Sequence, residues 1–157
     1  MIIGEAPGRN EIEQGIPFCG ASGRVLDTAL GLASVRRGNS YPRDSYYITN
    51  LYKGDVGVDN RNPTSDEIAA HRFYLREELD TVRPLGILLL GRVAGQAFIP
   101  ELDRMGDYVG RRIQWEGIQL FPCWHPAYTL YNREALADFQ FTVAKFVLVT
   151  QVLDAHS

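Results

Sequence analysis

Residues 1–27 read MIIGEAPGRNEIEQGIPFCGASGRVLD, and the fold is read outward from them. Met1, Ile2 and Ile3 form a short apolar run that stops at a glycine-bracketed turn, Gly4-Glu5-Ala6-Pro7-Gly8. Such a run reads as a buried strand delivering a loop at its carboxyl end. In open α/β sheets ligands bind at that edge. The loop carries a carboxylate, Glu5, and further on an aromatic, Phe18, between Pro17 and Cys19. Ser22 then caps an expected helix to Leu32, with Val25, Leu26, Ala29 and Leu30 on one face.

The remaining chain alternates in the same way. A polar loop, SVRRGNSYPRDS, leads to Tyr46–Tyr52, whose aromatic and β-branched residues predict a second strand. GDVGVDNRNPTS is a long run of turn residues and a candidate functional loop. Ser65 opens an expected helix that ends at Arg83 before Pro84. Leu85–Leu90 reads as a buried strand and Gly91–Phe98 as a short helix. A loop from Pro100 to Gly110 precedes a hairpin, Arg111–Trp115 and Ile118–Phe121, turning at Glu116-Gly117. After Pro122-Cys123-Trp124-His125-Pro126 come a short helical turn, Ala127–Asn132, and a last helix, Glu134–Leu153. The alternation predicts an α/β fold, a three-layer α/β/α sandwich around a central, mostly parallel four-stranded sheet. Residues 1–157 are expected to form one domain.

Composition narrows the possibilities. Hydrophobic residues make up 45% and charged residues 22%, values ordinary for a globular chain. No apolar run reaches the ~20 residues of a bilayer span, and Met1 leads straight into the strand with no signal-peptide pattern, so a cytoplasmic, membrane-free protein is expected; a monomer is expected as well. The two cysteines, Cys19 and Cys123, lie far apart and are expected to be free thiols. A net charge of −3 argues against tight, nonspecific binding of long duplex DNA. It leaves room for a local basic patch drawn from Arg36, Arg37, Arg43, Lys53, Arg61, Arg111 and Arg112.

Three strand ends stand out: Glu5, Asn50 and His125. In a parallel sheet these ends share one edge, where a carboxylate, an amide and an imidazole would meet Phe18 from the loop. Singly, each has a structural reading. Glu5 could be a solvated turn residue, Asn50 an Asx turn, His125 a backbone-bonded histidine and Phe18 a core side chain. His71 and His156 read as structural, and neither a GxxxxGK[ST] nor a GxGxxG phosphate loop occurs.

Taken together, the motifs resemble the uracil-DNA glycosylase superfamily, closest to its family-4 type. Gly4-Glu5-Ala6-Pro7-Gly8, Glu11, Gln14-Gly15, Pro17-Phe18-Cys19-Gly20, Ala21, Gly23 and Leu26-Asp27 match the first motif of that type. Tyr47-Ile48-Thr49-Asn50-Leu51-Tyr52-Lys53 looks like its ITN-x-x-K strand, and Trp124-His125-Pro126-Ala127-Tyr128-Thr129-Leu130 like its HPS-x-x-L motif. Between them, Asn62-Pro63-Thr64 with Glu67, and Arg83-Pro84 with Leu88-Leu89-Leu90-Gly91 and Ala94, follow the family in order.

The resemblance implies a monofunctional glycosylase that hydrolyses the N-glycosidic bond of a flipped-out uracil in single- or double-stranded DNA and so initiates base excision repair. It implies that Phe18 stacks on the base, Asn50 reads its edge, His125 stabilises charge on O2 and Glu5 positions water. Gly4, Ala6, Pro7 and Gly8 would line the base pocket. Pro126, Ala127, Leu130, Tyr131 and Lys53 would contact DNA, Leu130 or Tyr131 wedging into the vacated stack. The departures matter too. Ala6 stands where the best-known members carry a water-activating aspartate, Ala127 replaces the common serine, and Tyr131 takes a position often basic. Gly54 stands where a cluster cysteine would follow Lys53, and the other cysteines of the family-4 iron–sulfur cluster are missing, so no cofactor is expected. Two other readings stay open: a glycosylase for another modified pyrimidine or purine, and a non-catalytic module that binds uracil-DNA or a nucleotide.

Overall fold

The structure is a computed structural model, and it describes residues 1–35, 42–57 and 59–157. The opening apolar run forms β1 (Ile2–Gly4) and the second predicted strand forms β2 (Ile48–Asn50). The buried run forms β3 (Gly86–Leu90), and the hairpin forms β4 (Ile113–Trp115) and β5 (Ile118–Cys123). The sheet order is β2-β1-β3-β5-β4. The pairs β1–β2, β1–β3 and β3–β5 are parallel, and β4 runs antiparallel to β5.

The sheet therefore has five strands rather than four, because both arms of the hairpin join it. Glu116 and Gly117 take φ of 44° and 83°. Positive φ at both central residues is the turn geometry whose twist matches paired strands. That turn aligns Ile113 with Leu120 and adds β4 as an edge.

Side chains alternate across the sheet, so each strand feeds two cores. Ile2, Leu88, Leu90 and Phe121 pack against α2 (Ala21–Val35) and α7 (Arg133–Ala155), meeting Leu26, Leu30, Phe139 and Val143. Ile3, Ile87, Leu89 and Leu120 pack on the other face against α4 (Arg72–Val82) and α5 (Arg92–Phe98), meeting Leu75, Leu79, Ala94 and Phe98. Trp124, just beyond β5, touches both cores. All five residues of β3 are buried, as a central parallel strand requires. By length and composition α7 could cross a bilayer, which the sequence reading did not anticipate; Phe139, Val143, Phe146 and Val147 are instead buried against the sheet.

Several boundaries differ from expectation. A six-residue helix, α1 (Arg9–Gln14), forms inside the opening loop and ends at Gly15 in the left-handed region. The helix expected over 65–83 breaks at His71 into α3 (Ser65–Ala70) and α4. α3 opens at Ser65 as expected, and Thr64 caps it in a reciprocal capping box with Glu67. At the break, His71 Nδ1 accepts the Lys53 N–H at 3.0 Å and the ring packs on Tyr52 at 4.6 Å. Ser22 lies inside α2 rather than capping it. Arg36 and Arg37 fall outside the described residues.

Candidate active site

The parallel register sets the site. Gly4 pairs with Asn50, so the ends of β1 and β2 lie side by side. Beyond Gly4, the Glu5 carbonyl accepts the Tyr52 N–H at 2.9 Å, which holds the turn against the neighbouring strand. β3 ends at Leu90, the following Gly91 N–H donates to the Cys123 carbonyl, and β5 then delivers His125. A side-chain carbon on Gly91 would stand 3.1 Å from His125 Cβ, so the glycine (φ 91°) makes room for the imidazole.

Phe18 arrives by a strained route. Its φ is 51°, uncommon for an aromatic residue. Three contacts hold it there. Arg43 donates to the Phe18 carbonyl at 2.7 Å, Gly23 leaves space for that same carbonyl, and Gly4 leaves space for the ring edge. A Cβ on Gly4 would fall 2.5 Å from Phe18 Cζ and 2.6 Å from Asn50 Oδ1. Gly4 is thus required by the absence of a side chain where ring and amide converge.

The polar groups are aimed inward. Asn50 is buried, and its Oδ1 has no hydrogen-bond partner among the described residues. His125 caps α6 (Pro126–Thr129), its Nδ1 accepting the Ala127 N–H at 3.1 Å. A nitrogen that accepts carries no proton, so the neutral ring bears its proton on Nε2. Burial lowers the His125 pKa and keeps the ring neutral. The Phe18 and His125 ring centres lie 6.2 Å apart. Glu5 is half-buried, and desolvation raises its pKa.

These groups line one cavity of about 550 Å³ with Ala6, Pro7 and Gly8. Ala127 reaches its edge, Pro126 is buried beneath, and Leu130 and Tyr131 follow as exposed apolar side chains, Tyr131 at 87%. The cavity wall also includes Glu11, Asn60 and Arg61, which sequence reasoning did not single out as site residues. Glu11 Oε1 accepts the Gly20 N–H at 3.3 Å and ties the two ends of the loop together. Arg61 forms a paired contact with Glu67 at 2.6 and 2.8 Å. The length of the 54–65 segment signalled the loop of Asn60 and Arg61, Arg61 also belonged to the expected basic patch, and Glu11 belonged to the first motif.

Lys53 is the expected DNA contact that the structure turns elsewhere. Its ammonium donates to Glu78, Thr49 Oγ1 and the Asn50 carbonyl, each at 2.6 Å. All three of its donors are used internally. Lys53 therefore braces β2 and does not line the cavity.

The cysteines do not fit a four-thiolate cluster. Cys19 is partly exposed in the loop, and Cys123 is buried at the end of β5 with its thiol pushed well up by burial. Two thiols cannot complete such a cage. Among the described residues no group of three or more histidine, cysteine or carboxylate side chains is placed to hold a metal.

An aromatic ring, an amide oxygen without a partner among the described residues, a neutral imidazole and a half-buried carboxylate thus share one cavity at the carboxyl edge of the parallel sheet. Comparison with known proteins gives the family. Residues 1–148 match the model of the uracil DNA glycosylase superfamily, and the chain belongs to that superfamily. It is 35% identical over 154 residues to a type-4 uracil-DNA glycosylase of Pyrobaculum aerophilum, covering 93% of this chain and 75% of that protein. It is 35% identical over 144 residues to the type-4 enzyme of Saccharolobus solfataricus, covering 84% and 62%. With the type-4 enzyme of Archaeoglobus fulgidus the identity is 32% over 148 residues, covering 89% and 71%.

Proposed function

We propose that this chain is a monofunctional uracil-DNA glycosylase: it hydrolyses the N-glycosidic bond of a uracil flipped out of DNA and so starts base excision. The observation that carries the reading is the pairing of Asn50 and His125 in one cavity. One offers an unpartnered amide oxygen, and the other is locked as a neutral Nε2–H donor.

Uracil leaves as an anion while the sugar gains positive charge. In this reading Phe18 stacks on the base, and Asn50 accepts from N3–H and donates to O4. His125 Nε2–H donates to O2, where negative charge collects. A donor placed for charge that develops only in the transition state accelerates the reaction rather than tightening substrate binding. Glu5 holds the attacking water, takes its proton as the C1′–O bond forms, and the C1′–N1 electron pair leaves with the base. Raising the Glu5 pKa by burial strengthens it as a base. Ala6 places no second carboxylate at the water. Gly4, Ala6, Pro7 and Gly8 wall the base, while Pro126, Ala127, Leu130 and Tyr131 face the strand it came from. The protein acts as a cytoplasmic monomer, without a cofactor, on either strand state.

The test is abasic-site formation on uracil-containing oligonucleotides, single- and double-stranded. Asn50→Asp and His125→Ala should each slow excision about 10²–10³-fold. Binding without product from the parent protein would overturn the enzymatic reading in favour of a uracil-binding module. The cavity, at about 550 Å³, also admits a base larger than uracil. A panel of modified-base oligonucleotides separates that substrate class from uracil.

A further inference from the structure

The chain carries a net charge of −3, yet any DNA that reaches this cavity must have its phosphates neutralised locally. Many of the chain's cations, including Arg9 and Arg61 that line the cavity, are already spent. Arg9 pairs with Glu13, Arg43 with Asp27, Lys53 with Glu78 and Arg61 with Glu67. Arg76 is shared between Asp80 and Glu116, and Arg104 pairs with Asp107. Lys145 donates to the Gly110 carbonyl, and Arg111 lies over the Tyr108 ring.

Arg24, Arg92 and Arg133, like Arg72 and Arg112, are not spent, and they differ in where they sit. Each is exposed, and none has a side-chain hydrogen bond or ion pair among the described residues. Each also falls in the first turn of a helix that starts at the carboxyl edge of the parallel strands. Arg24 follows Ala21 and Ser22, which line the cavity. Arg92 follows Gly91, which packs beneath His125. Arg133 opens α7, just past Leu130 and Tyr131. α2 and α7 cover one face of the sheet and α5 the other, so the three helix starts that carry these arginines lie on both sides of the sheet. The nearby acids do not cancel them: Asp27 is taken by Arg43, and Glu134 forms no ion pair with Arg133 among the described residues.

We propose that Arg24, Arg92 and Arg133 form a phosphate clamp that holds the DNA backbone on both sides of the flipped nucleotide. The inference rests on the glycosylase reading for the identity of the DNA. It assigns the grip to exposed arginines outside the pocket, while the pocket's own arginines stay bound to carboxylates. Guanidinium suits the task because it binds phosphate through two parallel N–H donors.

The experiment measures affinity for a thymine oligonucleotide, and KM and kcat for the matching uracil oligonucleotide, across a salt series. It uses the parent protein, Arg24→Ala, Arg92→Ala, Arg133→Ala, the triple variant and Arg83→Ala, whose arginine caps α4 at the opposite edge. Each clamp variant should weaken affinity several-fold at low salt, leave kcat within about twofold, and flatten the log–log salt slope by about 0.7 on single strands, with about 2 for the triple variant. Arg83→Ala should match the parent. Melting temperatures identify any variant that folds poorly, and Arg→Lys at the same positions should restore most of the slope. Unchanged slopes in all three clamp variants, with excision intact, would overturn the clamp and leave the glycosylase reading standing. Flattened slopes in a protein that releases no uracil would keep the clamp and overturn the enzyme.

Discussion

Glu5 and His125 are opposite cases of the same desolvation. Burial raises the pKa of Glu5, so the folded state takes up a proton more readily than the unfolded one. Ionised Glu5 therefore opposes folding above its raised pKa, and that cost fades as pH falls from the raised value to the ordinary carboxylate range, below which it is gone. Glu5→Gln should melt at a higher temperature than the parent at pH 7, the difference closing in acid, while excision drops about 10²–10⁴-fold. In the parent, excision should fall on acidification with a midpoint above the usual carboxylate value. His125 runs the other way. Its lowered pKa means stability is lost as pH falls from the ordinary imidazole range toward that lower value, and His125→Ala should remove this slope from a melting series. Of these groups, the positions of Glu5, Asn50 and His125 were legible in the sequence, because strand ends in a parallel sheet must share an edge. The direction of Lys53 was not. Its partner Glu78 is 25 residues away on α4, and no local pattern records that pair.

Among the elements, α2 does two jobs: it covers one face of the sheet and it shapes the strained Phe18. Gly23 is the point of contact. A Cβ there would stand 1.6 Å from the Phe18 carbonyl oxygen, a distance that forces the backbone to move. Gly23→Ala is expected to cost roughly 1–3 kcal/mol, a fall of several degrees in melting temperature for a chain of this size. Uracil excision should fall with it, because the displaced carbonyl carries the ring away from the base. A thermal melt beside a kcat measurement checks both. A variant with parent-like melting and excision would show that the close approach is not required. The elements that sequence reasoning missed share a cause. α1 has no buried residues, so no apolar period marks it. The break at His71 is made by a tertiary bond to the Lys53 backbone. β2 spans Ile48–Asn50 rather than Tyr46–Tyr52, although the Tyr47 carbonyl accepts the Ile2 N–H and the Tyr52 N–H donates to the Glu5 carbonyl just beyond its two ends.

At the scale of the molecule, the site is assembled from distant chain segments by a sheet order that crosses over, β2-β1-β3-β5-β4. The apolar run of β3 and the alternation of helices and strands made that architecture legible. The edge strand β4 was less so, since its membership depends on a two-residue turn. Trp124 belongs to both cores, follows β5 and immediately precedes His125, with its ring 4.9 Å from Tyr128. The other tryptophan, Trp115, lies in β4 against Phe98. A Trp115→Phe protein would therefore have one indole, beside the imidazole and in contact with both halves of the interior. Its emission should shift when a uracil oligonucleotide binds and should change in a single step on unfolding, giving the chain a built-in optical gauge of occupancy and of fold. An emission unmoved by saturating oligonucleotide would show that binding at the pocket leaves this corner untouched.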